Sequence, residues 1–299
     1  MNFPDPRAFF ALDRRAVVRA FDRASASYDA AAALQERVRN ELVTRLDELK
    51  ITPAAILDLG AGTGHGSRAL KQRFPRSQVV AADIAQGMLE RAKRQSRWLR
   101  RFARVRADAY SLPFRDGTFD LVFSSLMLQW CDDLDAVFAE IARVLRPGGL
   151  LLFSTFGPGT LAELREAWNA SGDARNHVNH FFDAPVLGSA LMHAGLGEPV
   201  LDVDRIVVGY PDAMTLMREL KAIGAHNVTR GRARGLTGRA RLNAMTTAYE
   251  SLRRDGQLPA TWEVIHASAW GAAQKVPGNA GFPHEALISP SAIRKRGQT

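Results

Sequence analysis

A doubly wound α/β fold with a mostly parallel sheet is the architecture this sequence predicts, on three observations. From residue 54 to 155 short apolar runs alternate with helical stretches. The first run ends in a glycine cluster, Asp58-Leu59-Gly60-Ala61-Gly62-Thr63-Gly64. The second and third are followed by carboxylates, Asp83 and Asp108. Continuous apolar runs fit strands buried on both faces, and their alternation with helices implies right-handed crossovers.

Taken in order, helices are expected over Ala16–Tyr28 and Ala30–Leu49, the second with Leu34, Val38, Leu42 and Leu46 at helical spacing. The first βα unit is Ala54–Leu59 with helix Ser67–Phe74. A strand at Gln78–Ala82, a helix at Gln86–Ser96 and a short strand at Ala103–Ala107 follow. Next come strand Phe119–Ser124, helix Leu134–Val144 and strand Leu150–Thr155, the last introduced by a turn at Pro147-Gly148-Gly149. Beyond Phe156 the clearest helices are Leu161–Trp168 and Pro185–His193, and the last strands Pro199–Val208 and Trp262–Ala269. The organisation expected is an N-terminal helical segment (1–50), a core (51–210), a helical lid insertion (211–259), a last core strand (260–275) and a loosely ordered basic tail (276–299).

Composition narrows the function. The 299 residues are 46% hydrophobic, enough for one large domain, and no apolar stretch approaches the roughly 20 residues of a membrane span. Acids at Asp5, Asp13 and Asp22 argue against a presequence, so a cytoplasmic location is expected. Cys131 is the sole cysteine, which excludes intrachain disulfides and multi-cysteine metal sites; no metal is expected. A formal charge of +9 should draw anionic partners. Two basic clusters stand out, Arg91, Lys93, Arg94, Arg97, Arg100 and Arg101, then Arg230, Arg232, Arg234, Arg239 and Arg241, and neither resembles a nucleic-acid-binding motif.

The glycine cluster falls between the first strand and its helix. Glycine admits positive φ and close ligand approach, and the helix N-terminus offers unpaired N–H groups. A dinucleotide fingerprint counted from Gly60 would need glycine where His65 stands, so an adenosyl amino acid fits better. Asp83 is placed to accept both ribose hydroxyls, and Asp108 the adenine amino group. Each feature also has a plain structural role, as a chain reversal or a helix cap; their register with the strands favours the cofactor.

Phe119-Asp120-Leu121-Val122 and Arg143-Val144-Leu145-Arg146-Pro147-Gly148-Gly149 resemble class I S-adenosylmethionine-dependent methyltransferases. The chain further resembles the malonyl-acyl-carrier-protein O-methyltransferases of biotin synthesis. That likeness rests on Ala20-Phe21-Asp22-Arg23-Ala24 with Tyr28 and Leu34-Gln35, on Leu128-Gln129-Trp130-Cys131, on Phe156-Gly157-Pro158-Gly159-Thr160-Leu161 and on His177-Val178-Asn179-His180-Phe181. It extends into the insertion through Leu220-Lys221-Ala222-Ile223-Gly224-Ala225 and Gly231-Arg232.

The resemblance implies methyl transfer from S-adenosyl-L-methionine to the free carboxylate of a malonyl thioester on an acidic acyl carrier protein, with no nucleic acid or membrane as partner. A carboxylate with a reference pKa near 4 is already ionised at neutral pH and needs no general base. The expected cofactor residues are Tyr28, Gln35, Asp58, Gly60, Ala61, Gly62, Gly64, Asp83, Ile84, Met88, Asp108, Ala109 and Ser124. The expected reaction-chamber residues are Tyr28, His177 and Asn179, with Gln129 and Trp130 as further candidates, and the carrier footprint is Arg230, Arg232, Arg234, Arg239 and Arg241. Another small carboxylic acid as substrate, or a methyltransferase-like assembly or hydroxylation factor, remain the alternatives.

Overall fold

The computed structural model describes residues 11–96, 98, 100–172, 177–225, 227–229 and 238–272. The tail expected beyond Val276 lies outside the described residues. Helix α1 (Arg14–Ala24) opens the described chain, followed by the single turn α2 (Tyr28–Ala31) and α3 (Ala33–Arg45). The core then runs β1 (Ala55–Leu59), α4 (His65–Arg73), β2 (Gln78–Asp83), α5 (Gln86–Gln95), β3 (Ala103–Arg106), β4 (Phe119–Ser125), a 3-10 turn at Leu128–Trp130, α6 (Leu134–Val144) and β5 (Leu145–Phe156). After it come α7 (Ala162–Ala170), α8 (Ala184–His193), β6 (Gly197–Tyr210), α9 (Ala213–Ala222), α10 (Arg239–Glu250) and β7 (Leu258–Trp270).

The strands form one sheet of order β3-β2-β1-β4-β5-β7-β6. The pairs joining β3, β2, β1, β4 and β5 are parallel, whereas β7 runs antiparallel to both β5 and β6. Strand order reverses between β1 and β4, and a ligand crevice opens beyond the carboxyl ends of strands at such a switch point. One face of the sheet packs Val137, Phe138 and Ile141 of α6 with Leu187 and Leu191 of α8. The other packs Leu42 and Leu46 from the α3 region, Leu70 of α4 and Ala92 of α5. A third cluster joins Leu34 and Val38 of α3, Leu164 and Trp168 of α7, Leu216 of α9, and Met245 and Tyr249 of α10.

Four helices begin on an aspartate whose carboxylate accepts a backbone N–H of the first turn: Asp13 from Ala16, Asp133 from Ala136, Asp183 from Val186 and Asp212 from Thr215. Such caps contribute about 1 kcal/mol each.

Two expectations need correction. The helix read over Ala16–Tyr28 breaks after Ala24, because the hydroxyls of Ser25 and Ser27 donate to the Asp22 and Ala24 carbonyls and compete with continuing amides. The Pro147-Gly148-Gly149 turn is instead part of an extended β5: Gly148 N donates to Gly271 O at 3.1 Å and Gly271 N returns to Gly149 O at 2.7 Å. A partner distant in sequence supplies the hydrogen bonds that a local turn would lack.

Candidate active site

The loop after β1 is folded by its own glycines. Gly60, Gly62 and Gly64 have φ of +74°, +54° and +85°, in the left-handed region that β-carbon crowding disfavours for other residues. A β-carbon on Gly60 would overlap Cβ and Cγ of Met127, so the loops after β1 and β4 meet at this point. Gly60 N and Ala61 N both donate to Ala82 O, at 2.8 and 3.0 Å, and Gly62 N donates to Asp83 Oδ2 at 2.8 Å. Asp83 Oδ1 accepts from Ala85 N at 2.8 Å. The carboxylate thus locks the glycine loop while facing the crevice.

Two adjoining pockets share Tyr28, Gly60, Gly62 and Ser125. The first also holds Asp83, Ile84, Met88, Asp108, Ala109 and Tyr110. The second holds Gln35, Asp58, Ala61, Asp29 and Glu36. Burial pushes the Asp58 carboxyl up to about 7, opposed by the hydrogen bond from Ser67 Oγ at 2.6 Å. Burial also raises the pKa of Asp83. It raises the Tyr28 hydroxyl too, helped by the Asp83 and Asp29 carboxylates, so this phenol stays a protonated donor at neutral pH.

A separate cavity of about 880 Å³ lies beside these pockets. Its walls are mostly apolar, including Phe156, Leu164, Trp168, Leu220 and Trp262, and it also holds Gln129, His177 and Asn179. Trp130 lines both this cavity and the first pocket, forming the partition between them, and Phe21 braces it edge-on with ring centroids 5.1 Å apart. A large apolar space with a few polar groups is the usual form of a small-molecule site.

The structure therefore divides the expected set. Tyr28 lines the first two pockets, whereas His177 and Asn179 line the large cavity. His177 stacks on Trp168 at 3.7 Å, and Asn179 Oδ1 accepts from Val228 N at 3.2 Å, which ties it to a neighbouring segment. Gln129 is held at both ends of its amide, by Leu126 O at 2.6 Å and Thr155 Oγ1 at 3.4 Å.

Ser124 and Gly64 line none of the three spaces. Successive strand residues face opposite sides, so Ser124 buries its hydroxyl on Leu59 O at 2.8 Å and Ser125 faces the pockets. Gly64 instead starts α4, where a β-carbon would press on Ala92 at 2.8 Å. Asp108 is engaged by Arg14 and by Tyr110 N at 3.1 Å, with the Arg14 guanidinium 4.1 Å over the Tyr110 ring. Of the expected footprint, Arg239 and Arg241 are exposed at the start of α10; Arg230, Arg232 and Arg234 lie outside the described residues.

Sequence reasoning missed Arg14, Tyr110, Ser125 and Met127. Only strand alternation applied at Ser125 offered a cue; the others arrive from loops and from α1.

The pockets fit an adenosyl amino acid. Gln35 Oε1 is buried in the second pocket with no hydrogen-bond partner among the described residues, an acceptor suited to an ammonium group. The carboxylates of Asp29, Glu36 and Asp58 line the same pocket, with Arg39 pairing Glu36 at 3.4 Å, and the excess of acids suits a cationic ligand.

Comparison with known proteins agrees. The methyltransferase domain family matches residues 57–153. Malonyl-acyl-carrier-protein O-methyltransferase of Methylovorus sp. (strain MP688) is 48% identical over 97% of this chain and 98% of its own length. The protein of the same name from Laribacter hongkongensis (strain HLHK9) is 49% identical over 89% and 92%. Among solved structures, the YcgJ protein of Bacillus subtilis superposes with a TM-score of 0.57 at 17% identity, covering 78% of this chain and 98% of that one. Phosphoethanolamine N-methyltransferase 2 of Haemonchus contortus, solved with S-adenosyl-L-methionine, gives 0.50 at 21% identity, covering 79% and 53%. At these identities the structural likeness concerns the fold alone.

Proposed function

The chain belongs to the malonyl-acyl-carrier-protein O-methyltransferase family, and from that premise we propose that it binds S-adenosyl-L-methionine across the two pockets at the β1 and β4 ends and methylates a malonyl carboxylate presented through the large cavity. The observation that carries this reading is the shared Trp130 partition, which sets the pocket holding the ribose acceptor Asp83 against a second chamber of about 880 Å³. Asp83 takes the ribose, Gln35 and Asp58 the amino-acid end, and Asp108 with Tyr110 and Arg14 the adenine end.

When bound, the cofactor supplies an electrophilic methyl on a sulfonium. Held by Gln35, Asp58 and Asp83, it would offer that methyl to a substrate carboxylate oxygen that is already ionised. No proton is transferred, so no base is assigned. The chain's part is alignment and exclusion of water, which well-oriented groups make worth several kcal/mol. Tyr28 contributes a neutral hydroxyl donor at the edge of the cofactor pockets, next to Ser27 in the large cavity. Segment 211–259 is assigned the role of lid, and its arginines Arg230, Arg232, Arg234, Arg239 and Arg241 that of meeting an acidic carrier, since opposite charge raises association rates.

Incubation of malonyl carrier protein with enzyme and saturating S-adenosyl-L-methionine should add one methyl group by mass spectrometry, at a single-turnover rate flat from about pH 6 to 8 because the nucleophile is already ionised. An unmodified carrier, or a rate rising tenfold per pH unit, would contradict the reading.

Asp58 adds a separate expectation. Its carboxyl, at about 7 in the free protein, faces the cationic end of the cofactor, which favours the ionised form. Binding lowers its pKa, so a proton is released below about pH 7 and progressively less of one above it. Affinity accordingly rises with pH across that window. Calorimetry in buffers of different ionisation enthalpy reads the released proton, and Asp58→Asn should abolish it; release undiminished in the variant would place the titrating group elsewhere.

A further inference from the structure

The large cavity has an uneven charge distribution. Among the described residues lining it there is no Asp or Glu, while Arg23, Arg218 and Lys221 stand at its edge and are all exposed. None of the three has a carboxylate within ion-pair distance among the described residues, although Arg218 donates to Met214 O at 3.2 Å and to Thr215 Oγ1 at 2.9 Å. Arg23 and Lys221 come from the last turns of α1 and α9, two helices far apart in sequence. A specific joint brings them together: Ser27 Oγ donates to Ala222 O at 2.8 Å, and Gly224, at φ +76°, packs so that a β-carbon would sit 3.1 Å from Ala24 Cβ. The small residues Ala20, Ala24, Ser27, Ala222 and Ala225 line the same cavity as these cations.

A malonyl group alone is far smaller than a space of about 880 Å³. The apolar walls suit the uncharged stretch of a long thioester arm, and exposed cations without a carboxylate in ion-pair distance suit an anion at the arm's far end. Helix carboxyl ends themselves repel anions, so the cations are needed for any anion to rest at this joint. Arginine and lysine bind phosphate through charge-assisted hydrogen bonds about twice as strong as neutral ones.

We propose that Arg23, Arg218 and Lys221 form an anchoring site for the phosphate that joins a pantetheine arm to its carrier. This rests on the reading of the cavity as the malonyl thioester's chamber and adds the group recognised at its entrance. The phosphate is shared by carrier-bound and coenzyme A thioesters, so the site selects the arm irrespective of the protein behind it. The carrier's acidic side chains are the competing source of negative charge, and a protein-free substrate removes them.

The test compares malonyl-4′-phosphopantetheine with malonyl-pantetheine, using wild-type enzyme and the Arg23→Gln/Lys221→Gln variant, which keeps most of each apolar stem. Wild type should favour the phosphorylated substrate at least tenfold in kcat/KM, through KM. The variant should lose that preference while turning over malonyl-pantetheine as wild type does. If these cations serve only to complement their helix ends, thermal stability falls but the preference between substrates stays, and the proposal fails. Equal use of both substrates by wild type overturns it as well.

Absence of methyl transfer from bound cofactor to either thioester would instead refute the assigned reaction. Calorimetry with 4′-phosphopantetheine and pantetheine then decides the anchor on its own: tighter binding of the phosphorylated compound by wild type but not by the variant upholds it, and indifference overturns it.

Discussion

Asp83→Ala should raise the dissociation constant for S-adenosyl-L-methionine more than 100-fold. The carboxylate is assigned two ribose hydroxyls, and hydrogen bonds to charged groups contribute about 1.5 to 3 kcal/mol each, so losing both removes about 3 kcal/mol or more. It also accepts from Gly62 N and Ala85 N at 2.8 Å, and releasing those amides lets the glycine loop relax away from the cofactor. The free protein should suffer much less. Burial raises the pKa of this group, meaning that its charged form is poorly solvated in the fold, and removing it relieves that cost. Calorimetry and a melting curve on the same variant separate the effects. Affinity within a few-fold of wild type would refute the ribose assignment, and a collapsed melting temperature would make Asp83 a folding residue first.

Gly60→Val should lower cofactor-dependent turnover by at least 1000-fold while Gly62→Ala loses far less. Both glycines have positive φ, which costs another residue about 1 to 2 kcal/mol. Only Gly60 faces an obstacle: its β-carbon would overlap Met127 at Cβ and Cγ, whereas no atom lies within 4 Å of one on Gly62. Valine must push apart the loops after β1 and β4, whose contact closes the crevice. Titration of both variants with S-adenosyl-L-methionine, monitored by calorimetry, checks the contrast. Equal losses would mean that backbone strain alone governs the loop.

The core was legible because its evidence is local. A buried strand needs an apolar run, a helix needs periodicity, and a loop with three left-handed residues needs glycine at Gly60, Gly62 and Gly64. Helix starts also carry a local signal, which the structure shows in the aspartates that cap them. The site was less legible wherever a residue's facing decided its role. Ser124 and Ser125 have the same chemistry, and which one lines the pockets beside the glycine loop depends on strand orientation. Asp108 looked like a free acceptor because Arg14, 94 positions earlier, gives no local sign that it reaches that carboxylate.

By itself, then, the sequence determined the alternation of strands and helices, the glycine loop with Asp58 and Asp83, and the family, since each is encoded by spacing within a few residues or by motif. Tertiary structure alone decided that β7 inserts antiparallel between β5 and β6, that Trp130 divides two chambers, and that Tyr28 and His177 line different ones. It also decided that α1 and α9 bring Arg23 and Lys221 to the lining of one cavity. The physical reason is range. Backbone geometry and periodicity act over a few residues, whereas the shape and charge of a cavity come from side chains that only long-range packing brings together.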